Sequence, residues 1–325
     1  MNNHLIAIFL LFTSVLGLNH QNAYYSAHFD SYLTRFNRQY TKSEYQYRLS
    51  VFSKNLDFIE SENSKNHHYT LGLTRFADMT HDEFKSSKIC GCYIKPNFKQ
   101  ASSIQQTIPE FLPESIDWRE KGAVNPIKDQ STCGACWAFS ALASIETAVF
   151  LSVNTLFSLS EQQLIDCDTK NHGCSGGNMI LAYRYVLEHG ICSDEQYPYE
   201  SKDGECKSSK CKSVAIIKNY ETLDSGKGKQ LYAALSEHVV SVGIDADSDL
   251  FQHYVSGIID SEDCGTDLDH GVAAVGYGKE NGIQYIIIRN SWGTEWGENG
   301  YAKIAYIEEG AGICGINQAN SVAMA

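Results

Sequence analysis

The rhythm of apolar and polar positions changes several times along the chain. Residues 5–16 (LIAIFLLFTSVL) are an apolar run with almost no polar face, with small residues at Ser14 and Gly17. The run is shorter than the ~20 residues that span a bilayer. Although no Lys or Arg precedes it, it reads as a cleaved signal peptide over residues 1–17. Tyr32, Phe36 and Tyr40, then Leu49, Phe52, Leu56 and Ile59, recur at three- and four-residue spacings, which predicts amphipathic helices. Residues 95–113 lose this period and are punctuated by proline, as an exposed linker would be. Beyond them, Trp137 to Val153 carries Ala138, Leu142, Ile145 and Val149 along one helical face. Val239–Ile244, Val272–Tyr277 and Gln284–Arg289 read as strands. There is no evident repeat, and no later run reaches ~18 consecutive apolar residues. The processed chain is therefore expected to be soluble and exported.

Composition narrows the class. With 325 residues, 43% hydrophobic and 20% charged, the chain is neither disordered nor fibrous and can bury a real core. A net charge of -13 argues against an electrostatic grip on nucleic acid or an anionic membrane. That charge is unevenly spread. Residues 1–111 hold 11 basic against 9 acidic side chains, a net +2, whereas residues 112–325 hold 15 against 30, a net -15. Eleven cysteines suit an oxidising compartment.

The candidate chemistry lies in Gln130-Ser-Thr-Cys133-Gly-Ala-Cys136-Trp137-Ala-Phe-Ser140. A Cys-x-x-Cys can be a redox pair, half a zinc site, or one structural and one reactive cysteine. No second ligand pair follows at zinc spacing; Cys167, His172 and Cys174 serve disulfides better. No βαβ alternation surrounds the segment as a redox motif requires, and neither a metal nor a cofactor is expected. Cys136 opens the helix that starts at Trp137, so unpaired amides and the helix dipole favour its thiolate. A thiolate nucleophile needs a base and an orienting group. Of His172, His189, His238, His253 and His270, the first four stand in polar or helical contexts and read as solvated surface residues. His270 instead begins the apolar run His270-Gly271-Val-Ala-Ala-Val-Gly276 on a strand. The next strand delivers Asn290-Ser-Trp292-Gly: an amide to orient an imidazole and an indole to shield that bond.

These blocks resemble the papain family of cysteine peptidases. The Gln130–Ser140 block, Asp269-His270-Gly271, and the run from Asn290 to Tyr301 match in order, and Pro113-Glu-Ser-Ile-Asp117-Trp118-Arg119 resembles the start of a mature family member. Glu44, Arg48, Phe52, Asn55, Ile59 and Asn63 resemble the interspersed motif of a cathepsin L-type prosegment, and Gly72-Leu-Thr74-Arg-Phe76-Ala-Asp78 resembles its second motif, with Thr74 where Asn is usual. The resemblance implies an α+β, papain-like two-domain fold behind an N-terminal helical prosegment. One domain, about residues 120–220, is mainly helical; the other is β-barrel-like and carries His270 and Asn290. The division that follows is signal peptide 1–17, inhibitory propeptide 18–111 and peptidase domain 112–325. Cys136 is then the nucleophile and His270 its partner, with Asn290 orienting the imidazole under Trp292. The Cys136 amide and the Gln130 side chain hold the oxyanion. Ser131 stands where the family has Gly.

The resemblance also implies bridges Cys133–Cys174, Cys167–Cys206 and Cys264–Cys314; Cys192 and Cys211 remain to pair with each other, and Cys136 stays free. Cys90 and Cys92 are expected to be a strained or free thiol pair near the processing region. Gly176 and Gly177 resemble the wall that binds an extended substrate, joined by Asp269 and Trp292. Asn178, Met179, Gly243, Leu268 and Ala319 resemble the main specificity pocket, which should take Leu or Phe two residues before the cut. Endopeptidase action is the default, because no His-rich cleft-blocking insertion is present. Expected partners are protein and peptide substrates, the chain's own propeptide as inhibitor and cystatin-like proteins, acting on a monomer without nucleic acid or membrane. The location expected is the secretory pathway, ending in a lysosome-like digestive vacuole or outside the cell; no Asn-x-Ser/Thr site supports glycan-based sorting. Acid should speed maturation by discharging the acidic body. Two rivals stand beside this reading: a silent binding homologue and a thiol oxidoreductase cycling Cys133 with Cys136.

Overall fold

A computed structural model describes residues 22–87, 91–95 and 111–325. The signal-peptide reading of residues 1–17, Cys90 and most of the linker lie outside the described residues. Residues 22–35 form a first helix, α1. The second, α2, spans Lys42–Asn63 and starts at Thr41, whose hydroxyl accepts from the Glu44 amide. The predicted three-four spacing becomes a small aromatic core of Phe29, Tyr32, Phe52 and Leu56. The polar motif positions explain themselves by what they hold. Asn55 donates to the carbonyls of Ala77 and Met79 at 2.8 Å each, and Asn63 exchanges two bonds with Leu71. Arg48 reaches Glu83 at 2.7 Å and the Asp78 carbonyl at 2.9 Å. These bonds fold the return segment, with strand β1 (Tyr69–Leu71) and the short helix α3 (His81–Lys85), back onto α2.

The body is two-sided. Its helical half contains α4 (Cys136–Val153), α5 (Glu161–Cys167) and α6 (Met179–His189). The other half is a sheet that begins with a short β2 (Ile116–Asp117) and β3 (Asn219–Thr222). It continues through β4 (Val240–Ile244), β5 (Tyr254–Ile259) and β6 (His270–Glu280), then β7 (Ile283–Arg289), β8 (Tyr301–Ala305) and β9 (Asn320–Met324). Two further helices, α7 (Gly228–Leu235) and α8 (Asp249–His253), belong to this half. Among the described residues the strand order is β1-β5-β8-β7-β6-β4-β9-β3, an open path rather than a closed barrel, with β2 on β6. The prosegment therefore contributes an edge strand: β1 pairs antiparallel with β5.

Helix α4 is buried from Cys136 through Val149, and hydroxyls fix it against the sheet. Ser140 Oγ donates to the Val272 carbonyl at 2.7 Å, Ser144 Oγ to Val239 at 2.9 Å, and Ser241 Oγ to Ser140 at 2.8 Å. The loop entering α4 is tied down by Lys128, whose ammonium sits 2.8 and 2.9 Å from the two Glu161 oxygens and 3.8 Å from Glu146. Both carboxylates are buried. Replacing Lys128 with Met leaves them without a counter-charge, which should cost ~3–5 kcal/mol. Urea unfolding of the purified zymogen checks this; a loss below ~1 kcal/mol contradicts it.

Candidate active site

The site forms where α4 meets β6. Cys136 is the first residue of α4, fully buried, and the N-cap residue Ala135 supplies no side-chain cap. No side-chain oxygen therefore caps the first turn, which leaves the helix terminus available to an anion. His270 opens β6, and its Nε2 lies 2.8 Å from Asn290 Oδ1 just past β7. That bond fixes Nε2 as the protonated nitrogen of a neutral ring and leaves Nδ1 facing the sulfurs. Trp292 covers the pair, its ring centroid 4.8 Å from the imidazole's. Burial under the prosegment lowers the His270 pKa to about 4, against the opposing pull of Asn290. The imidazole is neutral in this state.

Gln130 is fully buried and its amide is set from both ends. Oε1 accepts from Ser291 Oγ at 2.6 Å, and Nε2 donates to the Cys133 carbonyl at 3.0 Å. Ser291 is a positioning residue that sequence reasoning missed, since a serine beside Asn290 carries no signal of its own. Ser131, where the family has glycine, adopts φ 54° and donates its amide to Asp129 at 2.7 Å. Left-handed backbone explains the glycine preference there and costs a serine ~1–2 kcal/mol.

Across the cleft lies residue 92–94 backbone from the prosegment. Gly177 N donates to Cys92 O at 2.9 Å and Ile94 N to Gly177 O at 2.7 Å, a parallel pairing, while Tyr93 N donates to Asp269 O at 2.9 Å. A Cβ on Gly177 would stand 2.5 Å from Asn171 and 2.7 Å from Trp137, so glycine is needed for this backbone to lie against the body behind it. A Cβ on Gly176 would crowd the Cys92 carbonyl at 3.1 Å. The Tyr93 ring enters the pocket anticipated from sequence: a Cβ built on Gly243 lies within 3.5 Å of Tyr93, Leu268 and Ala319. Met179 is buried in the same cluster. Asn178 does something else. Its Oδ1 caps α6 by accepting from Ile180 N, and its Nδ2 donates to the Ile94 carbonyl, both at 2.9 Å. A polar residue stands there because it ends a helix and grips backbone. Asp269 is pushed up to about 7, chiefly by burial, with Asp245 and Asp247 nearby.

Three expectations need correction. Cys136 is not a free thiol here, and Cys92 is not half of an unpaired Cys90–Cys92 set: Cys92 is disulfide-bonded to Cys136. The backbone pairing with Gly177 delivers the Cys92 side chain onto the α4 terminus, which residue spacing alone could not show. The other bridges are Cys133–Cys174, Cys167–Cys206, Cys192–Cys211 and Cys264–Cys314. His253, read as a surface residue, is fully buried against the prosegment, with Phe58 6.2 Å away between ring centroids. The sequence also gave no sign that Phe76 and Phe84 of the prosegment stack edge-on against Trp292, at 5.3 and 5.7 Å.

A cysteine at a helix terminus, a histidine held by asparagine, and a prosegment strand across both define the architecture of a thiol protease with its inhibitor segment in place. The comparisons agree. The profile described as "Papain family cysteine protease" matches residues 112–324, and that described as "Cathepsin propeptide inhibitor domain (I29)" matches residues 29–84. "Probable cysteine protease RD21B" of Arabidopsis thaliana is 44% identical over 286 residues, covering 87% of this chain and 62% of that protein. "Cysteine proteinase RD21A" of Arabidopsis thaliana is 45% identical over 275 residues, 83% of this chain and 59% of that protein. The chain thus spans about three fifths of the length of these two relatives. Among solved structures, a recombinant stem bromelain precursor superposes with TM-score 0.86 at 35% identity, over 92% of this chain and 98% of that one. Digestive procathepsin L 3 of the Tenebrio molitor larval midgut gives 0.83 at 35%, over 93% and 99%. The chain belongs to the papain family of cysteine proteases.

The double anchoring of Gln130 makes a graded prediction. In processed, reduced protein Gln130→Ala should lower kcat about 100-fold, the ~3 kcal/mol expected of a lost oxyanion donor. Ser291→Ala should lower kcat by a smaller factor with KM unchanged, because the amide stays but loses its aim. Equal KM and kcat effects in Ser291→Ala would contradict that.

Proposed function

We propose that this chain is the zymogen of a cysteine endopeptidase that hydrolyses peptide bonds of proteins and peptides. One observation supports this above the rest: Cys136 at the open end of α4, His270 held by Asn290 and the anchored Gln130 amide converge where the prosegment strand crosses. In the processed enzyme Cys136 acts as thiolate beside a His270 imidazolium and attacks the scissile carbonyl. The oxyanion is held by the Cys136 amide and Gln130 Nε2, and His270 protonates the leaving amine. Asn290 keeps the imidazole aimed, and Trp292 keeps water from that bond. Residues 1–17 serve as signal peptide, 18–111 as propeptide and 112–325 as enzyme, with processing near residues 108–112. The proposed setting is the secretory pathway, with a digestive vacuole or the extracellular space as destination; five disulfides among the described residues suit it. The mature form is proposed to be a monomer open to cystatin-like inhibitors.

Tyr93 supports a specificity reading, since the chain itself offers an aromatic ring to the pocket of Gly243, Leu268 and Ala319. Substrates with Phe, Tyr or Leu two residues before the cut should be preferred at least about 10-fold over Asp or Lys, the scale of one well-filled apolar pocket. Gly243→Val should narrow the pocket and lower kcat/KM for Phe more than for Val. The basic test is hydrolysis of a Phe-Arg fluorogenic peptide after prosegment removal in the presence of thiol reductant. Cys136→Ala should lose at least ~10³-fold. A silent wild type would favour the binding homologue.

Acid activation has a physical basis at the prosegment seam. Arg75 pairs with Asp129, Lys85 with Asp247 and Lys95 with Asp267, while His68 meets Asp260 and His81 meets Asp249. In each pair the prosegment carries the base and the body the acid. These pairs hold the seam through attraction between surface charges, which salt screens. The pH dependence comes from His253, buried against the prosegment. Burial alone lowers its pKa to about 3, and neither ring nitrogen has a partner. A released, hydrated imidazole binds a proton near ~6.5, so docking is strongest above that pH and weakens as pH falls toward 3. Processing rate should rise from pH 7 to 4, with His253→Gln flattening the rise between pH 6.5 and 5. A flat wild-type rate would contradict this reading.

A further inference from the structure

We propose that Cys92 is a covalent lock on the nucleophile, so that the zymogen needs a thiol reductant as well as proteolysis to become active; this rests on Cys136 being that nucleophile. Cys92 and Cys136 are bonded across 44 residues, and this is the one bridge among the described residues that joins prosegment to body. The bond does not stand alone. Three backbone hydrogen bonds at residues 92–94 and the Tyr93 ring in its pocket seat the same segment. The Cys92 sulfur, bonded to Cys136, also touches both other reactive groups. It lies 3.4 Å from His270 Nδ1 and 3.8 Å from Gln130 Nε2. It thus fills the space between nucleophile, imidazole and oxyanion donor. Cys92 lies outside the matched family segments, residues 29–84 and 112–324, so the lock belongs to neither common part.

The consequence is specific. Cutting the chain between residues 95 and 112 separates prosegment from body in the main chain, yet the fragment holding Cys92 stays attached to Cys136 and the enzyme stays silent. Release needs a dithiol reductant. One of its thiolates attacks Cys92 Sγ, forming a mixed disulfide, and the Cys92–Cys136 bond breaks with Cys136 leaving as thiolate. The second thiol then closes on its partner sulfur, giving the oxidised dithiol and Cys92 thiol. Two electrons pass from the dithiol to the bridge. Of the two thiol protons, one ends on Cys92 and one on His270 Nδ1, so reduction delivers the thiolate–imidazolium pair directly. The helix terminus that favours the Cys136 thiolate also makes it the better leaving group. With Cys92 and Cys136 1% and 0% exposed, a reductant reaches the bridge only after the strand loosens.

The test uses full-length zymogen, wild type and Cys92→Ser, purified under argon without reductant. Both are processed in trans with trace protease at acid pH, and active sites are titrated with a thiol-directed epoxide before and after dithiothreitol. Wild type should titrate below about one tenth of its sites before dithiothreitol and fully after it, while Cys92→Ser titrates fully in both. Non-reducing peptide mapping of unprocessed wild type should recover the Cys92 and Cys136 peptides linked. Equal titres before reductant in both variants, a reductant requirement shared by both, or free Cys92 with a metal bound by Cys92, Cys136 and His270 would overturn the lock. No activity in either variant after dithiothreitol would defeat the peptidase reading instead, and the peptide map would still decide the bridge.

Discussion

The packing of α4 against β6 is the constraint on which the site depends. The proposed nucleophile, Cys136, opens the helix and the His270 imidazole opens the strand. Their separation is therefore set by buried hydroxyls: Ser140 to Val272, Ser144 to Val239 and Ser241 back to Ser140. Those bonds also satisfy polar groups inside a helix that is buried almost all round, where an unmade bond would cost ~1–3 kcal/mol. The same contact orients the uncapped end of α4 toward His270. The setting that the proposed nucleophile needs is thus built into the core and does not wait for substrate.

A site assembled in advance has to be kept silent, and the prosegment does so by occupying each binding feature. Gly177 and Asp269 give their backbone to residues 92–94, the pocket takes Tyr93, and the sulfur of Cys136 takes Cys92. Farther out, Phe76 and Phe84 pack edge-on against Trp292, whose ring also covers the imidazole. One indole serves both docking of the inhibitor and protection of the His270–Asn290 bond. The edge strand β1 and the basic side chains facing an acidic body complete the seam.

Much of this was legible in sequence because it is local or sequential. The α4 helix, the strands bearing His270 and Asn290, and the apolar stripe of α2 follow from spacing, and the observed elements start within a residue or two of those expected. Family resemblance supplied the order of the blocks and pointed to Gln130 and Asn290, which the structure places beside Cys133 and His270. What escaped was tertiary. His253 stands among polar neighbours in sequence, but Phe58 arrives from 195 positions earlier to bury it. Asn178, read as a pocket residue, also caps a helix and grips the Ile94 carbonyl. Cys92 reads in sequence as half of a thiol pair with its near neighbour Cys90, whereas its partner, Cys136, lies 44 positions away.

The central claim is that helix terminus and imidazole make Cys136 a thiolate once the prosegment has gone. The most direct measurement is the rate of Cys136 alkylation by iodoacetamide in processed, reduced protein from pH 3 to 9, with the modified residue identified by mass spectrometry. The account predicts rapid alkylation already at pH 5, far below the ~8.5 of an ordinary thiol. A rate that rises only as pH approaches ~8.5 would mean that the geometry leaves Cys136 an ordinary cysteine, and would contradict the account.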